Sequence, residues 1–280
     1  MSGKIKEKGM EILFLACALA SIAAVAVICL FLFMGGIPAI GEIGAGEFLL
    51  GRKWAPQDVP ASFGIFPMIL GSVYVTGGAI LLGVPVGILA AVFLARFCPR
   101  PAYRVLGPAV QLMAGIPSIV YGLFGMLFFV TALHWGFSLL SGACTLAIMI
   151  LPLIMRTTEE ALKSVPDSFR EASFGLGAGR LRTVTHIVLP PAMSGILAGV
   201  ILAIGRVVGE TAALIYTAGT VADWPKGVMS SGRTLAVHMY VLSGEGLHVS
   251  EASATAVVLL VIVVGMNALS AFAAKKLTRG

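Results

Sequence analysis

The sequence predicts an all-α polytopic membrane protein with six transmembrane helices and a long cytoplasmic loop between the fourth and the fifth. Three observations carry that prediction. Of 280 residues, 58% are hydrophobic and only 11% charged, at a mean hydropathy of +1.00. Soluble domains hold about 25% charged and about 45–50% apolar residues. Four runs contain no Asp, Glu, Lys or Arg: Ile12–Gly41, Val59–Ala95, Val105–Met155 and Ala252–Ala274. Finally, Lys and Arg gather in the short segments between those runs. A water-soluble fold of this length cannot hide so much apolar surface behind so little charge, so a single transmembrane domain over residues 1–280 is expected.

A crossing takes about 20 apolar residues at about 1.5 Å each. The first expected helix is Ile12–Met34. Lys4, Lys6 and Lys8 precede it as they would a secretory signal. The apolar stretch outlasts a signal's core of about 7–15 residues, and no small-x-small site closes it, so it reads as an uncleaved helix. The second is Ile69–Ala95. The run Val105–Met155 is too long for one crossing, and His134-Trp135-Gly136 divides it into Leu106–Ala132 and Phe137–Met155. The fifth, Ala192–Tyr216, is interrupted only by Arg206 and Glu210, and the sixth is Ser253–Ala274. The segments Gly35–Met68 and Thr217–Ala252 are rich in Gly and Pro and should hold short re-entrant or surface elements. Pro85 and Pro117 fall inside spans, either as packing kinks or as breaks that free carbonyls along a pathway. The 34 glycines suit close helix approach in lipid.

Basic residues orient the spans. One side carries Lys4, Lys6, Lys8, Arg96, Arg100, Arg104, Arg156, Lys163, Arg170, Arg180, Arg182, Lys275, Lys276 and Arg279, 14 in all; the other carries Arg52, Lys53, Lys226 and Arg233. Both termini are therefore expected in the cytoplasm. The net charge of +6 and pI of 9.3 then express topology, and no nucleic-acid partner is implied. Cys17, Cys29, Cys98 and Cys144 form no CxxC pair, and His134, His186, His238 and His248 show no ligand spacing. Neither a disulfide framework nor a metal site is expected, and the histidines read as surface or packing residues.

The stretch Arg156–Pro190 is the most informative loop. Ser164 is placed to cap a short helix with Pro166 in its first turn. Gly175, Gly177 and Gly179 then break it, and Leu181–Val188 can form a second amphipathic piece. Two short helices at an angle would lie on the membrane and offer a knuckle to a cytoplasmic partner, the plainer alternative being a solvated connector. Here the sequence resembles the bacterial ABC-type importer permeases, whose loop reads EAA, three residues, G, nine residues, I, one residue, LP. Glu171, Ala172, Ser173, Gly177, Ile187, Leu189 and Pro190 match every spacing, with Ser173 in place of the second Ala. The resemblance implies that this loop docks into a cleft on a cytoplasmic ATPase subunit.

A second feature is Arg206-Val-Val-Gly-Glu210-Thr211 in the fifth span. Arg206 lies about 14 residues beyond Ala192, or about 21 Å along a helix, past the midplane. A charge in a bilayer costs about 2.5–3.5 kcal/mol or more, so such residues face a cavity or a partner. Positions 206 and 210 share one face of a continuous helix and can form an ion pair. That pair either glues the fifth helix to its neighbours or presents a forked guanidinium to an oxyanion, with Glu210 holding the fork and accepting a hydrogen bond from a protonated anion.

The R-x-x-G-E-T run, with Gly115-Ile-Pro-Ser118-Ile-Val-Tyr121-Gly-Leu-Phe-Gly125 in the third span, resembles the phosphate-specific ABC permeases. The Gly115–Gly125 wording and the compact length are similar to the A-type subunit, whereas Phe48–Pro56 resembles the first outer loop of the C-type. The resemblance implies Arg206 and Glu210 on the anion route, with Ser118, Tyr121 and Thr211 as weaker candidates, since hydroxyls in helices often only bond a carbonyl. It also implies a homologous permease subunit in a heterodimer, two ATPase subunits, an extracytoplasmic phosphate-binding protein and the bacterial inner membrane. No GxxxxGK[ST] loop is present; Gly175-Leu-Gly177-Ala-Gly179 follows no strand and lacks the Lys-Ser/Thr ending. ATP is therefore expected on the partner subunits, with no cofactor and no catalytic residue here. Rival readings are a same-family permease for sulfate, molybdate or phosphonate, and a membrane-embedded lipid enzyme, for which no His/Asp/Ser or metal constellation is present.

Overall fold

The computed structural model describes residues 2–277, without the side chains of residues 2–6, 270 and 273–277. The side chains of Lys4, Lys6, Lys275 and Lys276, and all of Arg279, thus lie outside the described residues. Helix α1 runs Ser2–Ile43 and α2 Ala45–Leu50. A small antiparallel hairpin follows, β1 (Trp54–Ala55) with β2 (Ser62–Phe63), pairing Trp54 with Phe63. The remaining helices are α3 (Phe66–Val92), α4 (Arg100–Ala114), α5 (Ser118–Gly125), α6 (Leu139–Lys163) and α7 (Asp167–Gly175). After them come α8 (Arg180–Thr183), α9 (Leu189–Val208), α10 (Ala212–Ile215), α11 (Leu235–Glu245) and α12 (Val249–Leu277). Turns of π-helix at Phe93–Phe97 and Met126–Ala132 extend α3 and α5, and one at Val184–Val188 joins α8 to α9.

Helix α6 is the axis of the bundle. Lipid tails are as apolar as leucine, so helices pair in a bilayer by close fit. Gly83 and Gly87 of α3 provide that fit on one side: a methyl at either would come within 2.9 or 2.8 Å of Ile150 or Ile154. Gly195 and Gly199 of α9 do the same on the other side, against Ala161 and Thr157. Around this seam Val75, Ala79, Tyr121, Leu146, Ile150, Ala203, Val207 and Leu214 form one buried cluster. Helix α1 lies outside it and rests on α12, where a Cβ at Gly36 would sit 2.7 Å from the Ser253 carbonyl oxygen. Its preceding turns are exposed, Phe31 to 69%, a surface suited to lipid tails.

Among the described residues five helices are long and apolar enough to cross a membrane, and there is a sixth crossing if Arg100–Ala114 and Ser118–Ala132, bent by 99°, count as one. The third span is therefore not the continuous Leu106–Ala132 helix that the sequence predicts. Gly115 ends α4, Pro117 caps α5 in an extended conformation (ψ 144°), and a residue before proline avoids the helical region. Pro85, by contrast, stays inside an unbroken α3. The fourth span runs to Lys163 rather than Met155, carried into the polar zone by Arg156–Glu160 (3.6 Å) and Glu159–Lys163 (2.6 Å) pairs one turn apart. The fifth is helical from Arg180, so Leu181–Val188 is the foot of the span and not a separate helix, and it stops at Val208 rather than Tyr216. The missing N–H groups of Pro190 and Pro191 explain the widened π turn just before them. The first span runs well past Met34, to Ile43. The turn at 134–136 forms as expected, with His134 (φ 57°) and Gly136 (φ 66°) both left-handed.

Loops group at two ends. At one end Arg96 meets Asp167 (3.9 Å) and Tyr103 bonds Glu159 (2.5 Å). At the other, Ser138 N–H donates to Thr217 O (3.0 Å), and the Trp54 ring lies edge-on to His238 at 4.3 Å. This second end holds the expected surface elements: the β-hairpin and the inserted helix α11, which buries Leu235, Val237, His238 and Leu242. His238 accepts from the Arg233 guanidinium (3.1 Å), and its Nε2 is buried without a partner. Burial, helped by the Arg233 charge, lowers its pKa from 6.5 to about 3. Because the folded value lies below the unfolded one, stability is fully present above about pH 6.5 and drains as pH falls towards 3. The thermal midpoint of the purified protein should therefore drop over that window, and His238→Gln should flatten the drop. An identical acid slope in the variant would contradict the assignment.

Candidate functional site

The fifth span is broken where the sequence places its charges. Gly209 ends α9 (φ −88°, ψ 0°), Glu210 N–H turns back to Val207 O (3.1 Å), and Thr211 starts the one-turn helix α10. Arg206 and Glu210 consequently do not share a helix face. Among the described residues no ion pair within 4.0 Å joins them, against the pairing that a continuous helix would give. Glu210 instead accepts the Ala213 N–H (3.2 Å), capping α10. Arg206, in the last turn of α9, is exposed and has no hydrogen bond or ion pair among the described residues. Thr211 is half-buried, its hydroxyl 3.5 Å from Gly209 O.

The third-span candidates stand beside this break. A Cβ at Gly122 of α5 would lie 2.7 Å from Ala213 Cα, so α5 and α10 touch backbone to backbone. Tyr121 is 6% exposed and packs with Val207, Ala213 and Leu214. Its hydroxyl donates to Met113 O across the 99° bend (2.8 Å), which gives it a positioning role at the break. Ser118 is half-buried in the first turn of α5, where backbone N–H groups have no helical partner. Two interrupted helices thus meet at one place. Interrupted spans in transporters direct half-helix ends and unwound backbone at a substrate. The sequence holds the signal for both interruptions, Gly115-Ile-Pro117 and Gly209, but Gly in a span reads equally well as close packing.

At the other end lies the loop motif. Ser164 ends α6, its hydroxyl on Ala161 O (2.8 Å), and Pro166 caps α7; the reverse order, Ser164 as cap and Pro166 inside the helix, is what the sequence suggests. Helix α7 presents Glu171 and Ala172 to solvent and buries Ser173, whose hydroxyl meets that of Thr183 (2.9 Å). That contact binds α7 to the foot of the fifth span and explains why a small hydroxyl serves at 173. Gly177 turns the chain at φ +81° with open space where a Cβ would stand, so its constraint is backbone conformation and not crowding. Ile187 and Leu189 are half-buried and Pro190 is exposed. Ala172, Ser173, Gly177 and Ile187 line one groove of about 570 Å³ with Phe169 and Leu176 at its rim, Leu176 being 89% exposed. An apolar, concave surface this open is shaped to receive another protein.

At this same end lies a contact that the sequence does not reveal. Glu159 of α6 accepts from both the Tyr103 hydroxyl of α4 (2.5 Å) and Lys163 (2.6 Å). It ties the amphipathic helix α4 to the helix leading into the loop. The residues involved are spread over 60 positions and carry no motif. Among the described residues no group of three His, Cys, Asp or Glu converges on a possible metal position.

Comparison with known proteins bears on the whole arrangement. Residues 83–280 match the family described as binding-protein-dependent transport system inner membrane component. A probable ABC transporter permease, YqgH of Bacillus subtilis, is 35% identical over 228 residues, covering 79% of this chain and 74% of that protein. The phosphate transport system permease PstC of Mesorhizobium japonicum is 36% identical over 217 residues, covering 69% and 65%. The phosphate transport system permease PstA 2 of Mycobacterium bovis is 39% identical over 167 residues, covering 60% and 56%. In fold, the chain is similar to a bacterial ABC transporter involved in alginate import, with TM-score 0.63 at 17% identity, over 93% of this chain and 96% of the other.

Proposed function

The chain belongs to the binding-protein-dependent transport system inner membrane components, and from that premise we propose that it is the phosphate-conducting permease subunit of an ATP-driven importer. It is a multi-pass membrane transport subunit, not an enzyme. The observation that carries the anion reading is Arg206, an exposed guanidinium in an apolar span with no hydrogen-bond or ion-pair partner among the described residues. A cation so placed costs about 2.5–3.5 kcal/mol or more unless it faces water or a counter-charge. An aqueous route between this chain and a second permease satisfies it, and an oxyanion passing there meets a planar fork of donors. Glu210, bound to the backbone of α10 rather than to Arg206, fixes the break beside that fork and keeps one oxygen available for a protonated anion. Monohydrogen phosphate carries such a proton and sulfate does not. The likeness to proteins named as phosphate permeases supports the same choice.

The family supports ATPase and substrate-binding partners; the assembly we infer has a homologous permease completing a heterodimer, two ATPase subunits, one of them engaging the loop and groove at Ala172–Ile187 of this chain, and an extracytoplasmic phosphate-binding protein. The chain brings no cofactor to this, and ATP is held by the ATPases. The groove end carries Arg96, Arg100, Arg104, Arg156, Lys163, Arg170, Arg180 and Arg182, against Arg52, Lys53, Lys226 and Arg233 opposite. By the positive-inside rule the groove and both termini are cytoplasmic. ATP-driven closure of the ATPases would pull α7, and through Ser173–Thr183 the long fifth helix, between inward- and outward-open packings. Similarity extends to both A-type and C-type relatives, and the Gly115–Gly125 wording supports the A-type reading while Phe48–Pro56 resembles the C-type. The test is competition in cells expressing the complex. Labelled-phosphate uptake should resist a hundredfold excess of sulfate, molybdate or phosphonate; displacement by one of them would reassign the cargo.

A further inference from the structure

The geometry points to a second oxyanion site, built from Arg96, Arg170 and Arg180 at the end of the molecule that carries the loop motif, which takes a phosphate group. Arg96 leaves the π turn at the end of α3, Arg170 stands on α7, and Arg180 opens α8. Together with Phe174, Thr183 and Val184 they line one cavity of about 160 Å³. At about 30 Å³ for each water-sized group, that is room for a tetrahedral anion and attendant water.

The charges in this cavity are out of balance. Arg96 is held in place, with 9% of its side chain exposed and a guanidinium nitrogen on the Leu162 carbonyl. Its Nε is buried and has no hydrogen-bond partner among the described residues. Asp167 is the one carboxylate within 4.0 Å of any of the three among the described residues. It lies 3.9 Å from Arg96 and 3.4 Å from Arg170 and is itself 69% exposed. Arg180 has no acidic partner among the described residues. One solvated carboxylate thus reaches two of the three guanidiniums. An unpartnered buried donor is destabilising, more so when charged. A phosphate group with several acceptor oxygens answers the open guanidinium ends, because each planar fork can take two oxygens at once. A single carboxylate has too few acceptors for three forks.

This place is distinct from Arg206. Arg180 and Arg206 lie on one continuous helix, Arg180–Val208, about 39 Å apart along its axis. An anion here would join α3, α7 and the foot of the fifth span, tying the loop to the bundle. Free phosphate and the phosphate of an anionic lipid headgroup share the chemistry, and the test separates them.

The thermal midpoint of the assembled permease–ATPase complex is measured against inorganic phosphate in discs of neutral phosphatidylcholine and, without phosphate, in discs containing phosphatidylglycerol. All samples carry Arg206→Gln, so that failure of the transport reading leaves this result untouched. A rise with inorganic phosphate in neutral discs assigns the free anion; a rise given only by phosphatidylglycerol assigns the headgroup. In either case Arg170→Gln with Arg180→Gln should raise the apparent Kd, or the lipid fraction needed, at least about tenfold. Should that variant fail to assemble, Arg170→Lys with Arg180→Lys keeps the charge but loses the forks and should give an intermediate value. Absence of any rise from either source overturns the site, as does a rise that the substitutions leave unchanged.

Discussion

Arg206→Gln should abolish phosphate uptake while the assembled complex still hydrolyses ATP. The guanidinium can give an oxyanion two charge-assisted hydrogen bonds, each worth about 1.5–3 kcal/mol. Losing them predicts a fall of at least about two orders of magnitude, at about 1.4 kcal/mol for each factor of ten. Arg206→Lys should recover little, because a point charge lacks the planar fork. The break at Gly209 sharpens the companion experiment. An ion pair in a continuous helix would make Glu210→Gln strand a cation, and a double Gln variant would then be rescued. Here Glu210 caps α10 through Ala213 N–H, and a Gln side chain can accept the same bond. Glu210→Gln should therefore assemble normally, whereas Glu210→Ala should lose about 1 kcal/mol of cap energy. Complex yield and labelled-phosphate uptake, measured together, check both statements. Full transport by the double Gln variant would remove Arg206 from the anion route.

The second large effect belongs to the loop. Gly177→Trp should insert into the membrane and bind the extracytoplasmic partner normally, yet hydrolyse ATP without moving phosphate. The turn at φ +81° costs an L-residue about 1–2 kcal/mol, and the indole would stand in the open groove beside Ala172 and Ile187. Gly177→Ala carries the backbone cost alone and should retain partial transport, so the pair of variants separates strain from blockage of the docking surface. Glu171→Gln, at an exposed position on α7, should weaken ATPase capture without altering the fold. Retention of the ATPase by Gly177→Trp at full strength, with normal uptake, would contradict the docking role.

The sequence was most informative where one physical rule acts alone. Apolar runs place the spans, since a bilayer demands about 20 such residues whatever they pack against. The turn at His134–Gly136 was legible because two successive crossings need one. The loop motif was legible from its spacing, though not its geometry: Ser164 and Pro166 exchange roles because Arg156–Glu160 and Glu159–Lys163 carry α6 a further two turns. Helix breaks were harder to read. Pro85 and Pro117 look alike in sequence, yet one lies within an unbroken helix and the other at a 99° bend. What differs is the chain around them, including Gly115 and the Tyr121 hydroxyl that reaches back to Met113. The Arg206–Glu210 pair failed for the same reason, since face-sharing assumes a helix that Gly209 ends. Long-range polar contacts such as Tyr103–Glu159 and Arg96–Asp167 leave no local pattern at all.

The central claim, that this chain conducts phosphate in an ATP-driven importer, is tested most directly in proteoliposomes. This permease, its homologous partner and the ATPases are reconstituted, the phosphate-binding protein is added outside, and ATP is enclosed. The account predicts accumulation of labelled phosphate against a gradient that requires both ATP and the binding protein. The same vesicles carrying Arg206→Gln should hydrolyse ATP and accumulate none. Accumulation that persists in that variant, or vesicles that take up sulfate and not phosphate, would contradict it.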